Sequence, residues 1–192
     1  MTTDEKYMYR CLQLADKGKG YVNSNPMVGA VIVHDGQIVG EGYHKKFGEP
    51  HAEANAINSV KNSLLLQEST LYVSLEPCTH YGKTPPCTEL VISKKIPRVV
   101  VATRDPNPKV SGKGVQMMRD AGIKVTEGIL NNEAKELNRV FFVNHLYERP
   151  YIILKWAQSN DGFIDHERSL FTKNAPAKIS NEITEIIIHK LR

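Results

Sequence analysis

The pattern of apolar and polar positions divides the chain into alternating helices and strands. Near the start, DEKYMYRCLQLADK (residues 4–17) repeats apolar side chains at helical spacing, and two glycines follow it. This pattern predicts an amphipathic helix with Cys11 on its buried face. MVGAVIVHDGQIVGEGYH (27–44) contains two β-rich runs around an Asp-Gly pair. This second pattern predicts a β-hairpin.

After the hairpin, strand patterns alternate with helix patterns. In chain order we predict a helix over 51–60, a strand over 70–77, a helix over 87–95, a strand over 97–103, a helix over 115–122, a strand over 123–128 and a closing helix over 131–148. Strands that alternate with helices after an opening hairpin indicate an α/β fold. The sequence therefore predicts a three-layer α/β domain with a mixed sheet.

A second pattern begins at Arg149-Pro150. YIILKWA (151–157) has the composition of a strand, and the last residues, NEITEIIIHKLR, repeat apolar positions as a helix does. One strand and one helix in about 40 residues cannot enclose a core of their own. We therefore expect a first domain over 1–148 and, over 149–192, the incomplete start of a second domain.

Composition narrows the class of protein. The chain has 192 residues, of which 41% are apolar and 24% charged, as is typical of a globular protein. Its net charge is +4, without the dense stripe of Lys and Arg that marks a nucleic-acid-binding surface. The polar start MTTDEKYMYR predicts no secretion signal, and no apolar run approaches a membrane span. We expect a cytoplasmic protein that binds neither nucleic acid nor membrane.

The three cysteines, Cys11, Cys78 and Cys87, argue against a disulfide framework in a reducing compartment. The last two bracket the segment CTHYGKTPPC and could be a disulfide, a metal pair or buried thiols. His51 opens a predicted helix, and an imidazole with two thiolates suits tetrahedral zinc. Three protein ligands leave one position open for water, which is typical of a catalytic zinc site.

Glu53 follows His51 by two residues, so both side chains can border one cavity at the first turn of that helix. A carboxylate there can take a proton from water and hand it to a leaving amine, as in nucleobase deaminases with an H-x-E and a P-C-x-x-C motif. Here eight residues separate Cys78 and Cys87 instead of two. The longer loop can line a pocket, and Lys83 in it can place an ammonium beside a substrate anion.

Taken together, HAEANAI, SLEPCTHYGKTPPCTELVI and DPNPKVSGKG, with NPMVGAVIV and GYH before them, resemble the cytidine-deaminase-like superfamily. Over residues 4–148 they resemble the deaminase half of the bifunctional riboflavin-biosynthesis deaminase–reductases. RPYIILKWAQSNDG resembles the first strand of the reductase half of that family, which has a dihydrofolate-reductase-like fold. The implied substrate is 2,5-diamino-6-(5-phosphoribosylamino)pyrimidin-4-one, and the implied products are 5-amino-6-(5-phosphoribosylamino)uracil and ammonia.

The resemblance also assigns roles to residues. It makes Zn²⁺ the metal, held by His51, Cys78 and Cys87, and Glu53 the proton shuttle. The implied substrate-binding residues are Asn25, His44, Ala52, Lys83, Asp105 and Asn107. It implies a homo-oligomer, and NADPH as cofactor of the reductase half with Ala157 at its site. HERSLFTKNAPAKIS departs from the glycine-rich segment usual there, and most of the nucleotide site is missing, so we expect no reduction by this chain alone.

Two alternatives stay open at this point. Another zinc deaminase, acting on nucleosides or on adenosine in tRNA, would share the His-Ala-Glu motif but usually has the short cysteine spacing. A non-enzymatic interaction module stabilised by zinc would need neither the open ligand position nor the carboxylate beside the histidine.

Overall fold

The structure, a computed structural model, describes four stretches of the chain: residues 1–81, 85–108, 110–164 and 179–191. The chain divides into two compact units, Met1–Tyr151 and Ile152–Arg192. The regular elements of the first unit are α1 (Thr3–Asp16), β1 (Gly29–His34), β2 (Gln37–Tyr43), α2 (Ala52–Ser59), a 3-10 helix (Ser63–Glu68), β3 (Thr70–Val73), α3 (Cys87–Ser93), β4 (Arg98–Val101), α4 (Lys113–Asp120), β5 (Lys124–Glu127), α5 (Asn131–Leu137) and α6 (Arg139–Tyr147).

The five strands form one sheet in the order β2-β1-β3-β4-β5. Strand β1 pairs antiparallel with both β2 and β3, whereas β3, β4 and β5 run parallel. Helices cover both faces of the sheet. Along β3, Leu71 and Val73 join the core beneath α2, α3 and α4, while Tyr72 joins the core beneath α1, as alternation along a strand requires. The predicted mixed sheet and α/β class are confirmed.

The opening hairpin turns where its Asp-Gly pair predicts. Asp35 and Gly36 have φ angles of 46° and 71°, and positive φ at both central residues is the condition for a two-residue turn that matches the twist of the strands. The flanking strands begin at Gly29 and end at Tyr43, which lie opposite each other. The predicted hairpin is therefore confirmed.

Helix α2 lies directly against the sheet because Gly42 has no side chain. A Cβ atom on Gly42 would lie 2.3 Å from the backbone nitrogen of Ala56 and 2.6 Å from the carbonyl oxygen of Ala52. Real Cβ atoms do not approach backbone so closely, so only glycine allows this packing. The close approach fixes where the first turn of α2 begins, and with it the position of His51.

The single closing helix predicted over 131–148 is wrong. Two helices, α5 and α6, meet at Asn138, whose φ of −104° and ψ of 22° depart from helical values. The buried Asn138 amide bonds the backbone of Met27 twice: its Nδ2 donates to the Met27 oxygen, and its Oδ1 accepts from the Met27 nitrogen, each at 2.8 Å. These bonds fasten the segment between α1 and β1 to the junction of the two helices.

The second unit is described over 152–164 and 179–191. Its helix α7 (Glu182–Leu191) confirms the helix predicted for the last residues. The strand predicted over 151–157 is wrong: among the described residues, none of that segment enters a sheet, and a strand exists only where a neighbour accepts its hydrogen bonds. The division of the chain into a deaminase domain and part of a reductase domain stays a prediction.

No helix among the described residues combines the length and the apolar character that crossing a membrane requires.

Replacing Asn138 with Ala tests the junction. The substitution leaves two buried backbone groups of Met27 without partners, and each such loss costs about 1–3 kcal/mol. We expect the free energy of unfolding to fall by roughly 2–4 kcal/mol, measured by urea titration. The matched control, Asn132→Ala, changes an exposed residue of α5 and should shift stability by less than about 0.5 kcal/mol. Equal midpoints for the two variants would contradict the assigned role.

Candidate active site

Two helices begin beside the end of strand β3. His51 is the N-cap of α2, with extended φ and ψ of −72° and 170°, and Cys87 is the first residue of α3. Cys78 lies in the segment that leads out of β3. The N-terminal end of a helix carries partial positive charge, which favours a nearby thiolate. The fold therefore brings together three candidate ligands that are distant in sequence.

The ligand atoms of His51, Cys78 and Cys87 all lie within 4.8 Å of one another. The Nδ1 atom of His51 is 3.6 Å from Sγ of Cys78 and 3.4 Å from Sγ of Cys87. Zinc bond lengths of about 2.0 Å to nitrogen and 2.3 Å to sulfur, with tetrahedral angles, imply an N···S distance of about 3.5 Å. The three residues therefore fit a zinc ion, and Nδ1 is the histidine atom that faces it.

The two thiols have opposite pKa shifts. A hydrogen bond from the Cys87 thiol, with a further one from His51, lowers the pKa of Cys78 to about 4. The same contact with Cys78, together with burial, raises the pKa of Cys87. The backbone nitrogen of Cys87 also donates to Sγ of Cys78 at 3.4 Å. Hydrogen bonding therefore favours the thiolate form of Cys78, whereas Cys87 favours its protonated form and must lose that proton to become a ligand.

All three cysteines are free thiols, so the disulfide alternative is excluded. Cys11 is fully buried beneath the sheet in the core that α1 covers, as its position on the apolar face of the helix predicts. Burial raises the pKa of that thiol well above its usual range. Cys11 is therefore a core residue, and the metal candidates are the remaining pair.

Glu53 lies in the first turn of α2 and is buried. Burial is the largest cause that raises the pKa of its carboxyl, to about 7, and the negative charge of Cys78 adds to the shift. Its carboxyl also makes a hydrogen bond with the Cys87 thiol. A group with a pKa near neutrality both accepts and releases protons efficiently at that pH. A cation bound between the sulfurs would lower the pKa of Glu53 again.

A cavity of about 600 Å³ opens onto the ligand cluster, within the size range of small-molecule sites. Four of the predicted substrate-binding residues line it: Asn25, His44, Asp105 and Asn107. Asp105 is buried, which raises the pKa of its carboxyl, and its Oδ1 accepts a 2.7 Å hydrogen bond from the backbone nitrogen of Asn107. The structure thus places these predicted residues at one site.

The protonation state of His44 follows from its two hydrogen bonds. Nδ1 lies 3.3 Å from the carbonyl oxygen of Pro50, which can only accept, so Nδ1 carries the proton. Nε2 then accepts from the Asn25 side-chain amide at 3.3 Å. Burial lowers the pKa of His44, which favours this neutral tautomer. Since the Asn25 amide nitrogen points to His44, its Oδ1 is the acceptor left for a ligand.

The other three predicted binding residues are Ala52, Lys83 and Ala157. Ala52 is fully buried in the apolar core, and it is not among the residues that line the cavity. Lys83 lies outside the described residues, and Ala157 belongs to the second unit. Their roles stay predictions.

Sequence reasoning missed several residues of the site. Phe141 and His145 of α6 lie on the cavity wall, although their spacing in the sequence predicts only a helix face; His80, for which the sequence leaves both a loop contact and a substrate contact open, lies there too. Glu76 also borders the cavity and is buried, although it was quoted only as part of the SLEPC motif. An acidic residue between a buried strand and a Pro-Cys pair was the one available signal.

Comparison with known proteins agrees with this geometry. Residues 1–103 match the model of the cytidine and deoxycytidylate deaminase zinc-binding region. The riboflavin biosynthesis protein RibD of Aquifex aeolicus is 56% identical over 159 residues, which are 83% of this chain and 44% of that protein. The chain thus spans less than half the length of that relative.

Solved structures extend the likeness to three dimensions. A diaminohydroxyphosphoribosylaminopyrimidine deaminase/5-amino-6-(5-phosphoribosylamino)uracil reductase from Thermotoga maritima is 44% identical, with a TM-score of 0.89 over 99% of this chain and 53% of that one. The Rib2 deaminase of Aspergillus oryzae, solved in complex with DARIPP, is 26% identical, with a TM-score of 0.59 over 77% of this chain and 96% of that one. The resemblance predicted from the sequence is confirmed.

The region matched by the family model contains His51, Glu53 and both sulfur ligands that the fold gathers at one cavity, so the chain belongs to the cytidine and deoxycytidylate deaminase family.

Proposed function

We propose that the first unit catalyses the zinc-dependent hydrolytic deamination of 2,5-diamino-6-(5-phosphoribosylamino)pyrimidin-4-one in riboflavin biosynthesis. One observation carries the proposal: His51 Nδ1 lies at zinc-site distances from two sulfurs, beside a buried carboxylate, at the wall of a cavity of about 600 Å³. The 56% identity to a riboflavin biosynthesis protein and the DARIPP complex of the fungal relative support this substrate class.

A zinc ion held by His51, Cys78 and Cys87 supplies the Lewis acidity that makes water a nucleophile near neutral pH. Glu53 receives the proton that the attacking water gives up. It passes this first proton to the ring nitrogen, then takes the second proton of the former water from the hydroxyl now bonded to the ring carbon and gives it to the amino group, which leaves as ammonia. Because Glu53 is buried, bulk water does not compete for the proton.

The rest of the cavity has chemistry that fits a polar heterocycle carrying a phosphate. The Asn25 Oδ1 can accept from a pyrimidine amino group, since its amide nitrogen is bonded to His44. Asp105 and Asn107 form one edge of the cavity, where ribose hydroxyls could bind. We place the phosphate near the loop that contains Lys83, whose side chain supplies the cation in this proposal.

A deaminase acting on nucleosides or tRNA is the alternative function. The eight residues between Cys78 and Cys87 and the cation within them favour a phosphorylated small molecule over a free nucleoside. Reduction of the ribosyl chain with NADPH, the role of Ala157, the homo-oligomer and the cytoplasmic location remain predictions for the intact protein.

Replacing Glu53 with Gln tests the proton shuttle. The amide has nearly the same shape but cannot carry the proton, so we expect turnover to fall by about 10²–10⁴-fold while one zinc per chain is kept. Ammonia release from the diaminopyrimidine measures turnover, and metal analysis measures zinc. Glu68→Gln, an exposed residue of the 3-10 helix, is the matched control and should behave as wild type. Wild-type turnover in Glu53→Gln would remove the assigned role.

Replacing Cys87 with Ser tests the metal ligand. A hydroxyl is a far weaker zinc ligand than a thiolate, so zinc and ammonia release should be lost together. Cys11→Ala removes a thiol that lies in the core beneath α1, so this control should keep its zinc although it is somewhat less stable. Full zinc occupancy in Cys87→Ser would discard Cys87 as a ligand.

Zinc affinity should fall with decreasing pH in two stages. The raised pKa of Cys87 means that metal binding displaces its proton throughout the neutral range, which lowers apparent affinity by roughly tenfold per pH unit. Hydrogen bonding to Cys78 raises the pKa of His51 above its ordinary value of about 6.5, so a second proton competes already above that pH and the slope roughly doubles there. Competition with a chelator between about pH 5 and 8 measures this; a pH-independent affinity would contradict the proposed ligand set.

A further inference from the structure

We propose that Glu76 is a positioning residue that fixes the substrate-facing loop of the cavity to the metal-binding segment. The effect on catalysis rests on the proposed function; the structural link itself does not. Glu76 lies two residues before Cys78 and is buried. It lies in the segment between β3 and Cys78, so its backbone is continuous with a candidate metal ligand, while its side chain contacts another part of the chain.

Both carboxylate oxygens of Glu76 accept hydrogen bonds from backbone amides. Oε2 accepts from Gly112 at 2.9 Å and from Asp105 at 3.3 Å, and Oε1 accepts from Val115 at 3.2 Å. All three donors lie in or next to the loop between β4 and α4. A buried carboxylate surrounded by amides is stabilised in place, and with both oxygens engaged it is badly placed to transfer protons. This arrangement favours a positioning role over a direct role in the chemistry.

Glu76 also serves as the cap that helix α4 lacks in its own sequence. The N-cap residue is Gly112, with φ of 78° and no side chain to accept from the first amides of the helix. Those first amides have no partners within a helix, and Glu76, from the segment after β3, accepts from those of Gly112 and Val115. Its negative charge also lies at the positive end of the helix dipole.

The first turn of α4 lies against the backbone just before Cys78. A Cβ atom on Gly114 would lie 2.4 Å from the carbonyl oxygen of Pro77 and 3.3 Å from Oε1 of Glu76. Glycine at this position therefore lets the helix approach the segment that holds the ligand. The start of α4 and the metal-binding segment thus form one packed block.

The loop that lines the cavity is attached to this block. The Asp105 nitrogen bonds Glu76, and the Asp105 carboxylate in turn accepts from the Asn107 nitrogen at 2.7 Å. In the opposite direction, the backbone nitrogen of Glu76 donates to the carbonyl oxygen of Thr103 at 2.9 Å. Catalysis depends on placing the reacting atoms within a fraction of an ångström. This link holds the substrate-facing loop at a fixed position relative to the metal-binding residues.

The test is Glu76→Gln. The amide keeps the size of the side chain but replaces one acceptor oxygen with a donor, which opposes the amides of Gly112 or Val115. We expect KM for the diaminopyrimidine to rise about tenfold or more, with kcat within about threefold of wild type and one zinc per chain. Hydrogen exchange at the Asp105 and Gly112 amides should become faster.

Thr2→Ala is the matched control. It removes the capping box at the start of α1, where Thr2 and Glu5 bond each other's backbone, and so costs a helix cap far from the cavity. We expect a lower Tm and an unchanged KM. Glu76→Asp keeps the charge but shortens the side chain by one carbon, so it should raise KM as well. It is the test variant if Glu76→Gln does not fold.

Each result decides something. A lower Tm with KM within about twofold of wild type, as for Thr2→Ala, would reduce Glu76 to a helix cap. A large loss of kcat at unchanged KM, or loss of zinc, would also overturn the proposal, and so would failure of both Glu76 variants to fold. If wild-type protein releases no ammonia from the diaminopyrimidine, the proposed function fails. Hydrogen exchange in Glu76→Gln then still shows whether Glu76 holds the loop, and unchanged exchange rejects the link.

Discussion

The whole site depends on the convergence of one imidazole nitrogen and two sulfurs from three separate segments. Nδ1 of His51 lies 3.4 and 3.6 Å from the two Sγ atoms, and the tolerance of a zinc site is about 0.2 Å in its bond lengths. No local structure can meet that tolerance, because the ligands belong to two helix starts and a strand exit. Two tertiary contacts place the ligands this accurately. Helix α2 packs on β2 at Gly42, and the Cys87 nitrogen bonds the Cys78 sulfur.

This convergence concentrates ionisable groups in a buried place. Four ionisable side chains lie close together there: His51, Glu53, Cys78 and Cys87. A buried charge without a partner of opposite charge is costly in free energy. The structure relieves the cost by sharing protons: burial keeps a proton on Glu53 up to about pH 7, and the Cys87 thiol donates to Cys78. A dication replaces those protons with its own charge. In the proposed zinc site, the groups that would bind the metal are also the groups that hold protons, which couples metal binding to acid–base chemistry.

The sequence locates the three candidate ligands and Glu53 at one site because their chemistry lies in residue type and local position, while the proton-shuttle role of Glu53 stays a prediction. His51 and Glu53 are recognisable from a helix start, and Cys78 and Cys87 from their place around a loop. Glu76 and Asn138 could not be recognised, since each acts on backbone groups of a distant segment. For the same reason the break between α5 and α6 was missed: apolar spacing continues through Asn138, and only its tertiary bonds end the helix.

The strand predicted over 151–157 failed for a related reason. Its composition favours a strand, but a strand is a property of two segments, and the described chain pairs none with it. The strand predictions for the first unit were correct because each of those strands pairs with a neighbour in the same unit. Composition therefore predicted correctly the strands that pair with a neighbouring strand. It was wrong for the segment 151–157, which pairs with no described strand.

The long loop between the two cysteines shows how the site separates metal binding from substrate recognition. The ends of the loop are clamped together: the Thr88 nitrogen donates to the Cys78 oxygen at 3.1 Å, and the Thr88 hydroxyl lies 2.9 Å from that oxygen and 3.1 Å from the Pro77 oxygen. With the Cys87 nitrogen bonded to the Cys78 sulfur, the two ligands hold their spacing independently of the residues between them. Closing a loop costs little more when it is a few residues longer. His80 of this loop can therefore lie on the cavity wall while the two sulfurs keep their spacing.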